Sequence, residues 1–379
     1  MGGPQKYGKV ETGFRKHSFR LYSFLIVAIA SVLVGCAAPQ ANISANKLYY
    51  WPAWPEQPRF AFEASLGAEA TIVSESKDVQ LQRQLTGIPR SIKPVIDKPA
   101  GLAVRHGRVY VAEPAVKAIT VMDAARGKLF RFGVRPPNTM KRPQSIALDA
   151  KSNVYVLDTG LRQVMVFDDF GLFLYEFPVA AGFTSPIAVA VTPDGQTIFV
   201  VDRGDLDNED HKVVAFTPNG KEKYRLGARG SDLGKFNIPL DATVSIDGTL
   251  LVADAGNARI QGFDPDGKFK FTFGGFGVEP GRFSRPRSIS TDSEGNIYVA
   301  DGSFNNVQIF NSKGELLMPL GKLSREPGPG NFSLIGAIAI DEEDRLFVTD
   351  NFFKKIDVFR RLSDEEGKKL LAISNAEIR

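Results

Sequence analysis

Apolar and polar positions alternate along most of this chain. The alternation is punctuated by one recurring element, a short apolar run that ends on an acid. It reads VYVAE closing at Glu113, VYVLD at Asp158, IFVVD at Asp202, LLVAD at Asp254, IYVAD at Asp301 and LFVTD at Asp350. The closing acids stand 45, 44, 52, 47 and 49 residues apart. Each run is preceded by an alternating stretch whose opening residue lies 14 to 16 positions before the acid. These openings are PAGLAV at Pro99, PQSIAL at Pro143, PIAVAV at Pro186, PLDATV at Pro239, PRSIST at Pro286 and IGAIAI at Ile335. A third apolar stretch follows the acid (ITVMD, VMVFD, VVAFT, IQGFD, VQIFN, IDVFR). Then comes a turn centred on Gly127, Gly171, Gly220, Gly267 or Gly314, and a fourth stretch such as KFKFTFG. Period-two alternation joined by short glycine-bearing turns predicts antiparallel hairpins. Four such strands repeating every 45 residues or so predict the blades of a propeller, each too small to bury its faces alone. The expected fold is all-β, a six-bladed β-propeller of four-stranded antiparallel blades.

The sixth repeat has no convincing fourth strand after Phe359, whereas RFAFEASLG at 59–67, ahead of the first repeat, has the missing strand's alternation. It is expected to complete the last blade and so close the ring, leaving no open edge. The propeller is therefore assigned to 59–362, with 59–67 as the closing strand and 68–98 as a connecting segment of unassigned structure. Ser363-Asp364-Glu365-Glu366 reads as a capping box that opens a short C-terminal helix over 363–379.

Charge changes the picture only at the N-terminus. The net charge is +4, but residues 1–36 carry five Lys and Arg against one Glu, leaving 42 basic and 42 acidic residues in the rest. A neutral body gives no electrostatic argument for nucleic acid, and none is expected as a partner. The basic stretch ends at Arg20 and is followed by 14 apolar residues, LYSFLIVAIASVLV. That is shorter than the roughly 20 residues of a membrane-spanning helix and suits a signal-peptide core. Leu33-Val34-Gly35-Cys36 follows, and Cys36 is the sole cysteine. The alternative is an uncleaved anchor with an incidental cysteine. The motif resembles a bacterial lipobox, which implies a signal peptide over 1–35, lipidation of Cys36 and a lipidated tether over 36–58. Acyl chains would hold the body at a membrane without a spanning helix, and Ala37 rather than Asp after the cysteine implies the outer membrane of the cell envelope. With no further thiol, disulfides and cysteine catalysis are excluded.

The stretch GNARIQGF, from Gly256 to Phe263, resembles the signature of NHL repeats. The connectors GSDLGKFNIP and GVEPGRFSRP are similar to that family's G-x-F-x-x-P links. The resemblance covers residues 89–360, is strongest in repeats four and five, and is broken in repeat six, where Ile335 replaces the opening proline. It implies a propeller and leaves function open, because the family includes enzymes, RNA binders and scaffolds.

The acid that closes every second strand is expected to cap a turn through backbone N–H groups rather than to act chemically. Histidine is scarce: with His17 in the leader, His106 and His211 cannot build a three-histidine zinc site like that of the NHL-type amidating lyases. No nucleophile elbow appears. One insertion, RGDLDNEDHK at 203–212, is rich in oxygen ligands; Asp205, Asp207 and Glu209 are candidates for a hard cation such as Ca²⁺, with a solvated acidic loop as the alternative. Positions just after each opening proline should rim the central channel. There Gln144, Asp241 and Arg287 are the polar departures, joined on the loop face by Arg162 and Arg259. As alternatives, all are ordinary rim residues and Asp241 simply pairs with Arg287. Three functions remain in view. The first is a lipid-tethered, non-catalytic binding or scaffold propeller that presents its loop face to an envelope protein or glycan and needs no cofactor. The second is a Ca²⁺-assisted hydrolase or lyase like the lactonase-type propellers. The third, RNA recognition, is disfavoured by export and the neutral body.

Overall fold

The computed structural model describes residues 49–67, 81, 85, 86, 94–179, 182–205, 207 and 209–377. Six antiparallel sheets follow one another along the chain. Their innermost strands are Gly101–Arg105, Pro143–Leu148, Pro186–Val191, Pro239–Val244, Pro286–Thr291 and Ile335–Ile340. These six touch in the ring order first, second, third, fourth, fifth, sixth and back to first. The six acid-terminated runs form the second strands, such as Val154–Asp158 and Ile297–Asp301, and five of them are buried at every position. The sixth, Arg108–Glu113, is buried throughout as well. Covered by a neighbouring blade on each face, these strands have no solvent side. That is why they read as continuous apolar runs rather than as alternation. Outer strands such as Phe173–Pro178 and Phe269–Gly274 do have a wet face, and they alternate.

The ring closes as the pattern predicts. Phe60–Leu66 pairs antiparallel with Lys355–Arg361, so the N-terminal segment supplies the outer strand of the sixth blade. Residues from Tyr49 onward, expected in a tether, instead extend that blade. Tyr50–Trp51 adds a fifth strand against Phe60 and Ala61, and Trp51 packs edge-on against Phe359 with centroids 5.1 Å apart. The aromatic side chain explains the difference, since Trp51 gains more by covering the sheet than by remaining in water. Beyond the sixth blade lies helix α1 (Asp364–Glu377), whose capping box forms in both directions: Glu366 Oε2 accepts from Ser363 N at 2.9 Å, and Glu366 N donates to Ser363 Oγ at 3.2 Å.

No single core exists. Six hydrophobic clusters lie between successive blades, and the last joins Phe347, Ile356 and Val358 of the sixth blade to Leu102, Val104 and Val111 of the first. Connectors contribute Phe236, Phe283 and Phe332, each fully buried. Each such side chain contributes about 2–3 kcal/mol by leaving water. The glycine turns between third and outer strands also serve this packing. Gly220 and Gly314 have φ of 77° and 81°, and a Cβ there would come within 2.5 and 2.6 Å of Phe177 and Phe273 on the preceding blade. Only glycine satisfies both the left-handed turn and the close approach.

Each repeated acid holds two segments at once. Asp301 accepts from Ser303 N (2.8 Å) and Phe304 N (3.1 Å) in the following turn, and from Ser284 N (2.8 Å) and Arg285 N (3.0 Å) in the incoming connector. Asp158 and Asp350 repeat all four contacts. Glu113, Asp158, Asp202, Asp254, Asp301 and Asp350 are all fully buried. Asp158, Asp202, Asp301 and Asp350 cap the following turn through its backbone N–H groups, as expected. Glu113 and Asp254 do not: Glu113 accepts from Thr120 Oγ, and Asp254 from the Asn257 and Arg259 side chains. All six clamp the incoming connector, 16 to 18 residues back in sequence.

Candidate functional site

The inner strands enclose a central channel with a cavity of about 690 Å³. Which residues reach it is set by a backbone irregularity that recurs around the ring. In blades two to five, pairing between the inner and second strands slips between the opening proline and the residue two positions on. The residue between them bulges out of the ladder. A bulge bends the strand and re-aims the extra side chain. The bulged residues are Gln144, Ile187, Leu240 and Arg287, and all four line the channel.

The next position has a different task. Ser145 Oγ accepts from Val189 N of the third blade at 3.1 Å. Asp241 Oδ2 accepts from Ser288 Oγ (2.8 Å) and Ile289 N (3.1 Å) of the fifth blade, and Ser288 Oγ accepts in turn from Ile338 N of the sixth (3.2 Å). This position therefore ties the second blade to the third, the fourth to the fifth and the fifth to the sixth. The three residues singled out at the rim separate accordingly: Gln144 and Arg287 sit at bulges, while Asp241 sits in the inter-blade tie, although it also lines the wall. Asp241 and Arg287 form no ion pair; Ser288, Ile289 N and Ala242 N (2.9 Å) take up the carboxylate. Burial pushes the Asp241 carboxyl up to about 6, against the pull of those three donors. Sequence reasoning missed the serine ties. Their only signal was a serine two residues after the proline in both PQSIAL and PRSIST.

At the end where the inner strands begin, Arg142, Arg162, Arg203, Arg285 and Arg287 line the mouth together with Thr159, Thr184 and Ser185. Arg162 occupies a left-handed turn position (φ 58°) four residues after the repeated acid, as do Lys117, Ala258, Asn305 and Lys354 in other blades. Its guanidinium donates to Phe183 O. Arg203 Nε donates to Ser185 Oγ at 3.0 Å. Burial, followed by the charge of Arg285, lowers the pKa of Arg287.

Arg259, expected on the ligand-facing loops, does not line the channel. Its guanidinium bonds Asp254 Oδ2 (2.8 Å), Ser231 O (2.8 Å), Asp232 O (2.9 Å) and Lys235 O (2.9 Å). It fastens the connector between the third and fourth blades, because the first residue of a third strand lies beside the buried acid.

The insertion after the third acid keeps Asp205, Asp207 and Glu209 exposed, as in the solvated-loop alternative, and closes on His211, which is fully buried. His211 Nδ1 accepts from Ile238 N at 2.9 Å, so Nε2 carries the proton donated to Asp205 O at 2.9 Å. Asp207 N donates to Asp205 Oδ1 at 3.0 Å, and Glu209 O accepts from Arg229 N at 3.1 Å. Asp205, Asp207 and Glu209 are not gathered into a common site; among the described residues no group of three His, Cys, Asp or Glu side chains could hold a metal ion. The channel's donor set also fits a hard cation poorly. Ca²⁺ takes six to eight oxygens, whereas the oxygens of Asp149 and Asp241 already accept from the protein's own N–H and O–H groups. Cys36 lies outside the described residues. Among those described, no helix is long and apolar enough to cross a membrane.

No family model matches the sequence, and no curated protein matches it. The architecture does match solved structures. A protein of unknown function from Bacteroides thetaiotaomicron superposes with a TM-score of 0.57 at 16% identity, over 72% of this chain and 70% of that one. A gluconolactonase from Xanthomonas campestris gives 0.52 at 17% identity, over 79% and 98%. A streptogramin B lyase gives 0.51 at 13% identity, over 70% and 93%. At these identities the likeness extends to the backbone and not to the chemistry. Strand order, ring closure and these neighbours together make the chain a six-bladed β-propeller.

Proposed function

We propose that this protein is a non-catalytic binding propeller that presents its channel mouth and surrounding loops to a protein or glycan of the cell envelope, held at the outer membrane by lipid on Cys36. One observation carries the reading: polar side chains that depart from the six-fold repeat converge at the mouth as arginines and hydrogen-bonding groups. The carboxylates of the wall, Asp149 and Asp241, are meanwhile taken up by the protein's own N–H and O–H groups. Groups of this kind recognise and orient a partner. The NHL resemblance of repeats four and five and the lipobox agree with a tethered recognition module, and the neutral body gives no footprint for nucleic acid.

A hydrolase or lyase reading has its own support in Asp241, since a channel carboxyl pushed up to about 6 could move a proton near neutral pH. Two neighbours of the fold are enzymes by name, the gluconolactonase and the streptogramin B lyase. The tie that Asp241 makes to the fifth blade accounts for its position without catalysis, so binding is the preferred reading. In-cell photo-crosslinking from position 159 tests it. One envelope species should be captured, and capture should be lost in Arg287→Glu. Stoichiometric metal in the purified protein, together with a hydrolytic activity abolished by Asp241→Ala, would replace the binding reading with the enzymatic one.

A further inference from the structure

The channel mouth carries positive charge that its own wall does not balance. Of the five arginines there, Arg162 and Arg203 are bound to Phe183 O and Ser185 Oγ. The guanidinium groups of Arg142, Arg285 and Arg287 make no hydrogen bond or ion pair among the described residues. The two carboxylates in the wall do not compensate. Asp241 is held by Ser288 and backbone N–H groups. Asp149, beyond the far end of the second blade's inner strand, is taken up by Asn153 Nδ2 at 2.7 Å, Tyr155 O–H at 3.2 Å and two backbone N–H groups.

Ring order places these arginines usefully. Arg142 and Gln144 begin the second blade, and Arg285 and Arg287 begin the fifth. Three steps apart in a ring of six, these blades face each other across the channel. A ligand lying in the mouth therefore meets guanidinium groups from two opposite sides. Like charges lining a partly enclosed cavity raise its potential and concentrate counter-ions there. Guanidinium groups also match the planar, two-oxygen face of a carboxylate or the oxygens of a phosphate. The lining contains no aromatic side chain, so charge and hydrogen bonds rather than stacking would hold the ligand. The cavity of about 690 Å³ suits a small molecule.

We propose that the channel mouth is a binding site for a small organic polyanion bearing two or more carboxylate or phosphate groups, bridged between Arg142 with Gln144 on the second blade and Arg285 with Arg287 on the fifth. The proposal rests on the binding reading only in taking this mouth as the recognition face; the ligand is a free small molecule, separate from any envelope partner.

Calorimetric titration of the full chain at low ionic strength tests it, with citrate as a spanning tricarboxylate and inorganic phosphate as a compact anion. Citrate should bind once per chain and weaken as salt is raised. Its affinity should fall at least tenfold in Arg287→Gln and in Arg142→Gln, and phosphate should bind at least tenfold more weakly than citrate because it cannot reach both blades. Arg225→Gln is the control, since Arg225 pairs with Glu222 on the outer strand of the third blade; it should leave citrate binding unchanged. Neither mouth substitution removes a bonded group, and unfolding curves matching the wild type would confirm folded variants. An absence of citrate binding, or equal affinity in wild type and Arg287→Gln, overturns the proposal. So does a loss in Arg225→Gln as large as that in the mouth variants. Capture of an envelope partner without citrate binding sinks the anion site and leaves the binding reading standing; citrate binding without a captured partner does the reverse.

Discussion

The six buried acids and the arginine-lined mouth are two concentrations of charge in this propeller, and they are built on opposite terms. Each acid that closes a second strand is withdrawn from water and met by donors from two segments, as Asp301 is by Ser284, Arg285, Ser303 and Phe304. A buried charge is tolerated only on those terms. Arg142, Arg285 and Arg287 stay in contact with the channel, and the protein offers their guanidinium groups no partner among the described residues. One set of charges is satisfied by the fold and recurs in every blade; the other is left for something else to satisfy and occurs in only two blades. Repetition marks the scaffold, and departure from it marks the site.

That contrast can be tested from both ends. The largest effect should come from Asp301→Ala, which strands four backbone N–H groups. A loss of about 3–4 kcal/mol in urea unfolding is expected, and a change under about 1 kcal/mol would mean that the clamp is dispensable. A middle effect belongs to Asp241, which stands between the two classes as a blade tie that also lines the channel. Its carboxyl is pushed up to about 6 in the folded protein, from an ordinary value of 3.8. The folded state thus holds that proton more tightly than the unfolded chain, a contribution present in full below 3.8 and lost as pH rises through 6. Between pH 4 and 7 the wild type should lose about 1–2 kcal/mol relative to Asp241→Asn, the figure being reduced for water in the channel. Parallel stability–pH curves for the two proteins would show that Asp241 titrates as an ordinary carboxylate. The smallest effect should be that of Arg285→Gln, within about 0.5 kcal/mol of wild type or slightly stabilising; a loss comparable to that of Asp301→Ala would place Arg285 in the scaffold.

Much of the architecture was legible because it rests on local pattern. The continuous apolar runs marked strands covered on both faces, and the orphan alternation at 59–67 marked the closing strand. The capping box at Ser363 and Glu366 formed as its spacing predicts. The acid's role as a turn cap could be read because its contacts to Ser303 and Phe304 are two and three residues away. Its hold on Ser284 and Arg285 could not be read, since only the folded blade brings those groups together. The candidate site was legible as a set of polar departures but not as a set of roles. Gln144 and Arg287 proved to lie at bulges and Asp241 at a tie, a difference of one position along strands that look alike. Arg259, expected at the ligand face, is fully engaged beside Asp254, and His211, placed in an acidic loop, is a buried bridge.

By itself the sequence determined the number of blades, their strand order and the way the ring closes, because β periodicity and turn chemistry act over a few residues and repeat. Tertiary structure alone decided which side chains face the channel, which bond the neighbouring blade and which charges go unanswered. A bulge shifts the facing of a strand by one residue, and opposition across a ring joins positions more than a hundred residues apart.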